Sequence, residues 1–226
     1  MLRILVLLLT LSVSSSLFAA GLDSLSNTEA AGGLKQALAD GSAAAVGLLG
    51  KENGFLLNPK VKIPLPPALQ KIESALRFAG MRKQADELVV AMNRAAEAAV
   101  PEAKTLLIES VKKMSVQDAK AILTGGETSA TEYFRRTTQD QLTERFRPIV
   151  KKATDKVGLA AQYNSLAGQA TQLGLVREQQ STIDGYVTQK TLDGLYLMIA
   201  EQEKAFRQNP LGATSDIVKR VFGAMR

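Results

Sequence analysis

The sequence predicts an all-α fold, a single-domain multi-helix bundle of about seven to nine helices with a proline-rich extended strap. Three observations carry this expectation. Apolar residues recur at three- and four-residue spacing through most of the chain, which is the period of an amphipathic helix and not the alternation of a strand. Alanine and leucine dominate the apolar set, aromatics are 5% and tryptophan is absent, a composition that suits close helix packing. Glycine, proline and Ser/Thr-x-x-Asp/Glu cap signals punctuate the apolar runs at helix-length intervals.

The chain opens with a leader. Arg3 makes a basic start and Ile4–Val13 is apolar apart from Thr10 and Ser12. The run is shorter than the roughly 20 residues that span a bilayer as a helix, so residues 1–21 read as a cleavable signal peptide and not as a membrane span. Cleavage after Gly21 places Ala19 at −3, where a small residue belongs; cleavage after Ala20 would place Phe18 there. An uncleaved leader anchored in the inner membrane is the alternative. Residues 22–33 read as a flexible N-terminal segment and 34–226 as one helical domain.

Leu34, Ala37, Leu38, Ala45, Leu48 and Leu49 mark the first helix. Asn53-Gly54 is a turn signal, and Pro59, Pro64, Pro66 and Pro67 forbid regular helix after it. Phe55, Leu56, Leu57, Val61, Ile63 and Leu65 are too apolar for a free linker, so this segment is a strap over the core, with Val61–Ile63 at most a very short edge strand. Pro67 opens the next helix and Gly80 ends it. Leu88, Met92, Ala95 and Ala99 stripe a helix over Arg82–Ala99, and Pro101 begins a segment running to Met114. Ser115 and Asp118 form a capping box for a short helix to Leu123.

After the Gly125-Gly126 turn, Ser129 and Glu132 read as a capping box for a long helix whose face is Phe134, Leu142, Phe146, Val150 and Val157. Pro148 makes that helix kink near Arg147, or stop and restart. An alanine-rich helix follows over Gly158–Thr171, then a loop over Leu173–Gln180. Ser181–Asp184 is a cap signal for a broad-striped helix reaching about Arg207. Asn209-Pro210 and Gly212 make a loop. Thr214 or Ser215 caps the last helix, with Ile217, Val218, Val221, Phe222 and Met225 on one face.

Several of these stretches together resemble a known bacterial family, the domain-of-unknown-function family numbered 4197. They are Asn58–Pro66, Met92–Glu97, Gly125–Thr128, Tyr133–Arg136, Phe146–Val150 and Tyr186–Leu195, in order across about Gly33 to Gly223. The resemblance implies an exported, mostly helical protein. It assigns no activity, cofactor or catalytic residue.

Composition excludes much chemistry. Histidine and cysteine are both absent, which removes Ser-His-Asp and Cys-His catalysis, thiolate nucleophiles, His/Cys metal sites and disulfides. No cofactor or metal is expected. The net charge of +6 falls to about +5 without the leader, whose single charged residue is Arg3, and that modest excess does not argue for nucleic acid.

Candidate ligand-binding residues fall in three groups. Asn93, Arg94 and Glu97 share one helix face. Tyr133, Arg135, Arg136 and Arg147 lie on the long helix, with Glu132–Arg136 spaced for an ion pair. Lys190 and Asp193 sit one turn apart beside an apolar stripe. The Gly125–Thr128 turn, ahead of a helix start, has the free N–H groups of an anion site, but no P-loop or dinucleotide spacing follows. The leading expectation is a non-enzymatic periplasmic module for a protein partner or a small ligand, anions included. A hydrolase or lyase using carboxylates, Lys or Tyr is the second reading. The third is a peripheral membrane-surface protein using the terminal helix, since Lys204–Arg226 carries five basic residues and one acid.

Overall fold

The computed structural model describes residues 26–71, 73, 78, 80–172, 182–209 and 216–223. The leader, residues 22–25, the loop expected over 173–180, the 210–215 turn with its Thr214/Ser215 cap, and most of residues 72–79 lie outside the described residues. In chain order the helices are α1 (Asn27–Leu49), α2 (Pro67–Lys71), α3 (Arg82–Ala99), a 3-10 turn (Val100–Glu102), α4 (Ala103–Lys113), α5 (Val116–Thr124), α6 (Ser129–Thr154), α7 (Gly158–Gln172), α8 (Ile183–Gln208) and α9 (Asp216–Gly223). No strand occurs among the described residues. The fold is the all-α bundle with a strap that the periodicity predicts.

The local signals account for most boundaries. Ser115 and Asp118 form their reciprocal box at the start of α5. Gly80 has φ 74°, the left-handed conformation that ends a helix and that glycine adopts without strain. α1 begins at Asn27, ahead of the Leu34 start that the apolar stripe marks. A second reciprocal box explains the difference: Ser26 Oγ accepts from the Glu29 N–H at 3.2 Å, and Glu29 Oε2 accepts from the Ser26 N–H at 3.0 Å. Pro148 does not end α6, which continues unbroken through it. Its ring has no N–H for the Glu144 carbonyl. Both residues are exposed, so that carbonyl lies on the side open to water, where the loss is small.

α6 is the axis of the bundle. It packs most extensively on α8 and next on α3, while α1 lies across α8, α4, α5 and α9. Phe134, Leu142, Phe146 and Val150 on α6 are fully buried, as are Leu88 and Met92 on α3 and Leu192, Leu195 and Tyr196 on α8. In α9, Val218 and Val221 are buried, so the described part of its apolar face is used in packing. No described helix is long and apolar enough to cross a membrane.

The strap, residues 50–66, lies over α3 and α8 and buries Phe55, Val61, Ile63 and Leu65. Full burial of a side chain such as Phe55 contributes about 1.5–3 kcal/mol. The approach is close: a Cβ on Gly194 of α8 would stand 2.9 Å from Phe55 Cε1 and 3.2 Å from Val61 Cβ. Helix propensity alone favours alanine at Gly194 by about 1 kcal/mol. The Phe55 ring is wholly enclosed and cannot step aside, so overpacking outweighs propensity. Gly194→Ala is therefore expected to lower stability by roughly 1–3 kcal/mol in urea denaturation. A variant more stable than the parent would show that the strap gives way freely.

Candidate functional site

The first candidate group clamps the strap. The N–H groups of Phe55 and Leu56 both donate to Glu97 Oε1 at 3.0 Å. Arg94 holds the other carboxylate oxygen at 2.6 Å and also donates to Asn53 Oδ1 at 2.9 Å. Asn93 treats Ile63 as a strand neighbour would: its Oδ1 accepts the Ile63 N–H at 2.8 Å and its Nδ2 donates to the Ile63 carbonyl at 2.8 Å. The short strand conceivable at Val61–Ile63 thus finds a side-chain amide in place of a second strand. Asn93, Arg94 and Glu97 do lie on one helix face; Asn93 and Glu97 are taken up by the chain's own backbone, and Arg94 by the side chains of Glu97, Asn53 and Glu52.

The Gly125-Gly126 turn is filled in the same way. Glu203 of α8 reaches the N-terminus of α6, where Oε1 accepts the Ala130 N–H and Oε2 the Thr131 N–H, both at 3.0 Å. Arg207 binds Glu203 Oε1 through Nη2 at 2.9 Å and donates to the Ile122 carbonyl near the end of α5, also at 2.9 Å. The anion favoured by this helix start is supplied from within the protein. The capping box expected from Ser129 and Glu132 is not formed. Thr128 occupies the cap position, Ser129 Oγ donates to the Gly126 carbonyl, and Glu132 accepts from the Thr128 hydroxyl. A buried carboxylate from a distant helix replaces the local cap. Sequence reasoning missed Glu203 and Arg207, although one signal existed: an i,i+4 pair of opposite charge falls in line with Ile199 on the apolar stripe of α8.

The remaining candidates separate. Tyr133 is buried, with its hydroxyl donating to the Ser110 carbonyl at 2.9 Å. Arg136 stacks over the Tyr133 ring at 5.6 Å and pairs with Asp118 at 3.5 Å, a partner from α5 and not the Glu132 that spacing suggested. Arg147 pairs with Asp184 at 3.0 Å, at the start of α8. Arg135 lies 4.6 Å over the Tyr196 ring, its Nη1 4.0 Å from Asp193 Oδ1. Lys190 Nζ stands 3.8 Å from the other Asp193 oxygen. The fold therefore joins Arg135, Lys190 and Asp193 and leaves Tyr133, Arg136 and Arg147 elsewhere.

Lys190 and Asp193 also line a groove of about 400 Å³ between the strap and α8. Lys60 and Lys62 come to it from the strap, and Tyr186, Gly194 and Leu197 from α8. Lys60 is paired with Glu201 at 2.7 Å. Lys62 is exposed, and its ammonium has no hydrogen-bond or ion-pair partner among the described residues. Sequence reasoning missed Lys60, Lys62 and Tyr186 as a group because more than a hundred positions separate the strap from α8. The family described as "Protein of unknown function (DUF4197)" matches residues 24–223. The chain belongs to this family. No curated protein and no solved structure matches it. Three of the stretches that resemble the DUF4197 family fall on the strap, on its clamp in α3 and on the α8 wall of the groove.

Burial and pairing shift three of these groups. Burial pushes the Glu97 carboxyl up, but the Leu56 N–H, the Arg94 guanidinium and the Phe55 N–H outweigh it and leave it below 4.5. Asp184 is lowered likewise: burial raises it, and the Thr182 side chain and Arg147 overcome that. Burial, with Tyr163 nearby, pushes the Tyr186 hydroxyl up to about 12, so it remains protonated at neutral pH.

Two outcomes follow from the clamps. The folded protein binds the Glu97 proton less readily than the unfolded chain does. That contribution is complete above pH 4.5 and disappears as pH falls through the lowered value. The urea midpoint should fall as the solution is acidified below pH 4.5, and Glu97→Gln should lower stability at neutral pH while flattening the acid limb. An acid limb unchanged in that variant would place the loss at other carboxylates. Glu203→Ala strands Arg207 and two helix N–H groups, and should cost about 3–5 kcal/mol in the same measurement. A loss below about 1 kcal/mol would mean that water replaces the carboxylate.

Proposed function

We propose that this member of the DUF4197 family is a non-enzymatic binding module of the periplasm, exported by residues 1–21, with its ligand seat in the groove between the strap and α8. One observation carries the reading: Lys60, Lys62 and Lys190 converge on one groove, and the Lys62 ammonium has no partner among the described residues. The groove volume lies in the range of about 300–1,000 Å³ typical of small-molecule sites. Lysine ammonium groups on flexible stems suit an anionic group approaching from solvent.

The disposition of the other polar groups supports binding over acid–base chemistry. Glu97 and Glu203 hold backbone N–H groups, and the Tyr186 hydroxyl is far from titrating at neutral pH. Packing of Val218 and Val221 leaves little support for the terminal helix as a membrane-surface element. The leader, with its basic start and apolar run, supports export.

The test is native mass spectrometry of the protein recovered from its own periplasmic fraction. The expected species has lost residues 1–21 and carries a bound small anion or a partner, which the Lys62→Glu/Lys190→Glu double variant has lost. Bare monomer from both proteins would overturn the binding reading. Full-length chain recovered only in the membrane fraction would overturn the export reading in favour of an anchored leader.

A further inference from the structure

On the far side of Lys62 and Pro64 lies a second groove of about 650 Å³, whose apolar lining comprises Leu56, Leu65, Ala85, Val89 and Val90. Lys62, Pro64 and Gln70 line both grooves, which lie on either side of the strap. The two grooves differ in chemistry. The first gathers Lys60, Lys62 and Lys190 around Leu197 and Val61. The second is walled by aliphatic side chains, with Val90 44% exposed and thus offering apolar surface to an occupant. Its charged residues besides Lys62 are the acids Glu73 and Asp86.

We infer that the ligand is a single-chain anionic amphiphile. Its carboxylate or phosphate head lies on Lys62 and Lys190, and its hydrocarbon chain crosses Pro64 to lie along Leu65, Val89 and Val90. The inference rests on the proposed role of the lysine groove and names the ligand class for it. Three arguments support it. Exposed ammonium groups gain little from a small, fully hydrated anion, so useful affinity has to come from apolar area removed from water. That area lies across the strap from the lysines, and Lys62 and Pro64 line both sides. Charge sets the direction: Lys60, Lys62 and Lys190 against Asp193 line the first groove, whereas Glu73 and Asp86 against Lys62 line the second, with Asp86 paired to Arg82 at 3.9 Å. The strap that forms the boundary is held on α3 by Asn93 and Glu97, so both walls are preorganised.

Calorimetric titration of the purified protein below the micelle concentration tests this, with decanoate, decyl phosphate, decanol, acetate and inorganic phosphate as probes. Decanoate or decyl phosphate should bind at one site per chain, about tenfold or more tighter than acetate, phosphate or neutral decanol. The tighter of the two identifies the head group as carboxylate or phosphate. Lys62→Glu and Lys190→Glu should each weaken that binding about tenfold. Val90→Asn, at an exposed position that leaves the core intact, should weaken the amphiphile and leave inorganic phosphate unchanged. Inorganic phosphate binding as tightly as decyl phosphate would overturn the amphiphile and leave the groove as an anion site. Decanol binding as tightly as decanoate, with no effect of the lysine variants, would overturn the head-group assignment. Absence of binding by every probe would overturn both the amphiphile and the anion-binding role of the groove.

Discussion

A buried backbone N–H without a partner costs about 1–3 kcal/mol, and a buried segment outside helix or sheet has no regular ladder to supply partners. The strap is such a segment. Its apolar side chains draw it onto α3 and α8, and its turns satisfy the N–H groups of Gly54, Asn58, Val61 and Lys62 but not those of Phe55, Leu56 and Ile63. Asn93 and Glu97 resolve the conflict by offering amide and carboxylate atoms to Phe55, Leu56 and Ile63. Without them, hydrophobic burial of the strap would be offset by desolvated N–H groups. The position of the strap in turn defines both grooves, because Lys60, Lys62 and Pro64 lie on it.

The same solution recurs elsewhere in the bundle. Glu203 supplies the N-terminus of α6 with a carboxylate, and Arg207 serves a carbonyl near the end of α5. Asn164 of α7 accepts the Ile183 N–H at 2.7 Å, where α8 begins. Each bond joins segments distant in sequence through a side chain on one and the main chain of the other. Such contacts fix the relative positions of helices more narrowly than interdigitated leucine and alanine side chains do, because hydrogen bonds weaken steeply with angle and distance.

This arrangement bears on function. Charged residues that look like site candidates are committed to architecture when they are buried, and the groups left for a ligand are the exposed ones. Glu97 belongs to the first kind, and half-buried Arg94 is tied to it. Lys62 and Lys190, on segments brought together only by folding, belong to the second. Asp193 stands between the two kinds. Gln189 donates to it at 3.0 Å, while Arg135 and Lys190 approach it more loosely.

Most of the fold was legible in the chain itself. Periodicity marked a helix over about Arg82–Ala99, and cap signals at Ser115 and Gly80 marked boundaries, because these are short-range effects. The proline-rich segment was legible as a strap from its apolar content alone. Candidate residues were also local in origin, which is why Asn93, Arg94 and Glu97 were correctly placed on one face. What that face meets is decided by tertiary structure. Glu203 displacing the local cap at Ser129, Arg136 choosing Asp118 over Glu132, and lysines from the strap and α8 sharing one groove all depend on contacts across the bundle. Sequence spacing sets which side chains share a helix face; packing sets which backbone, charge or solvent that face finds opposite it.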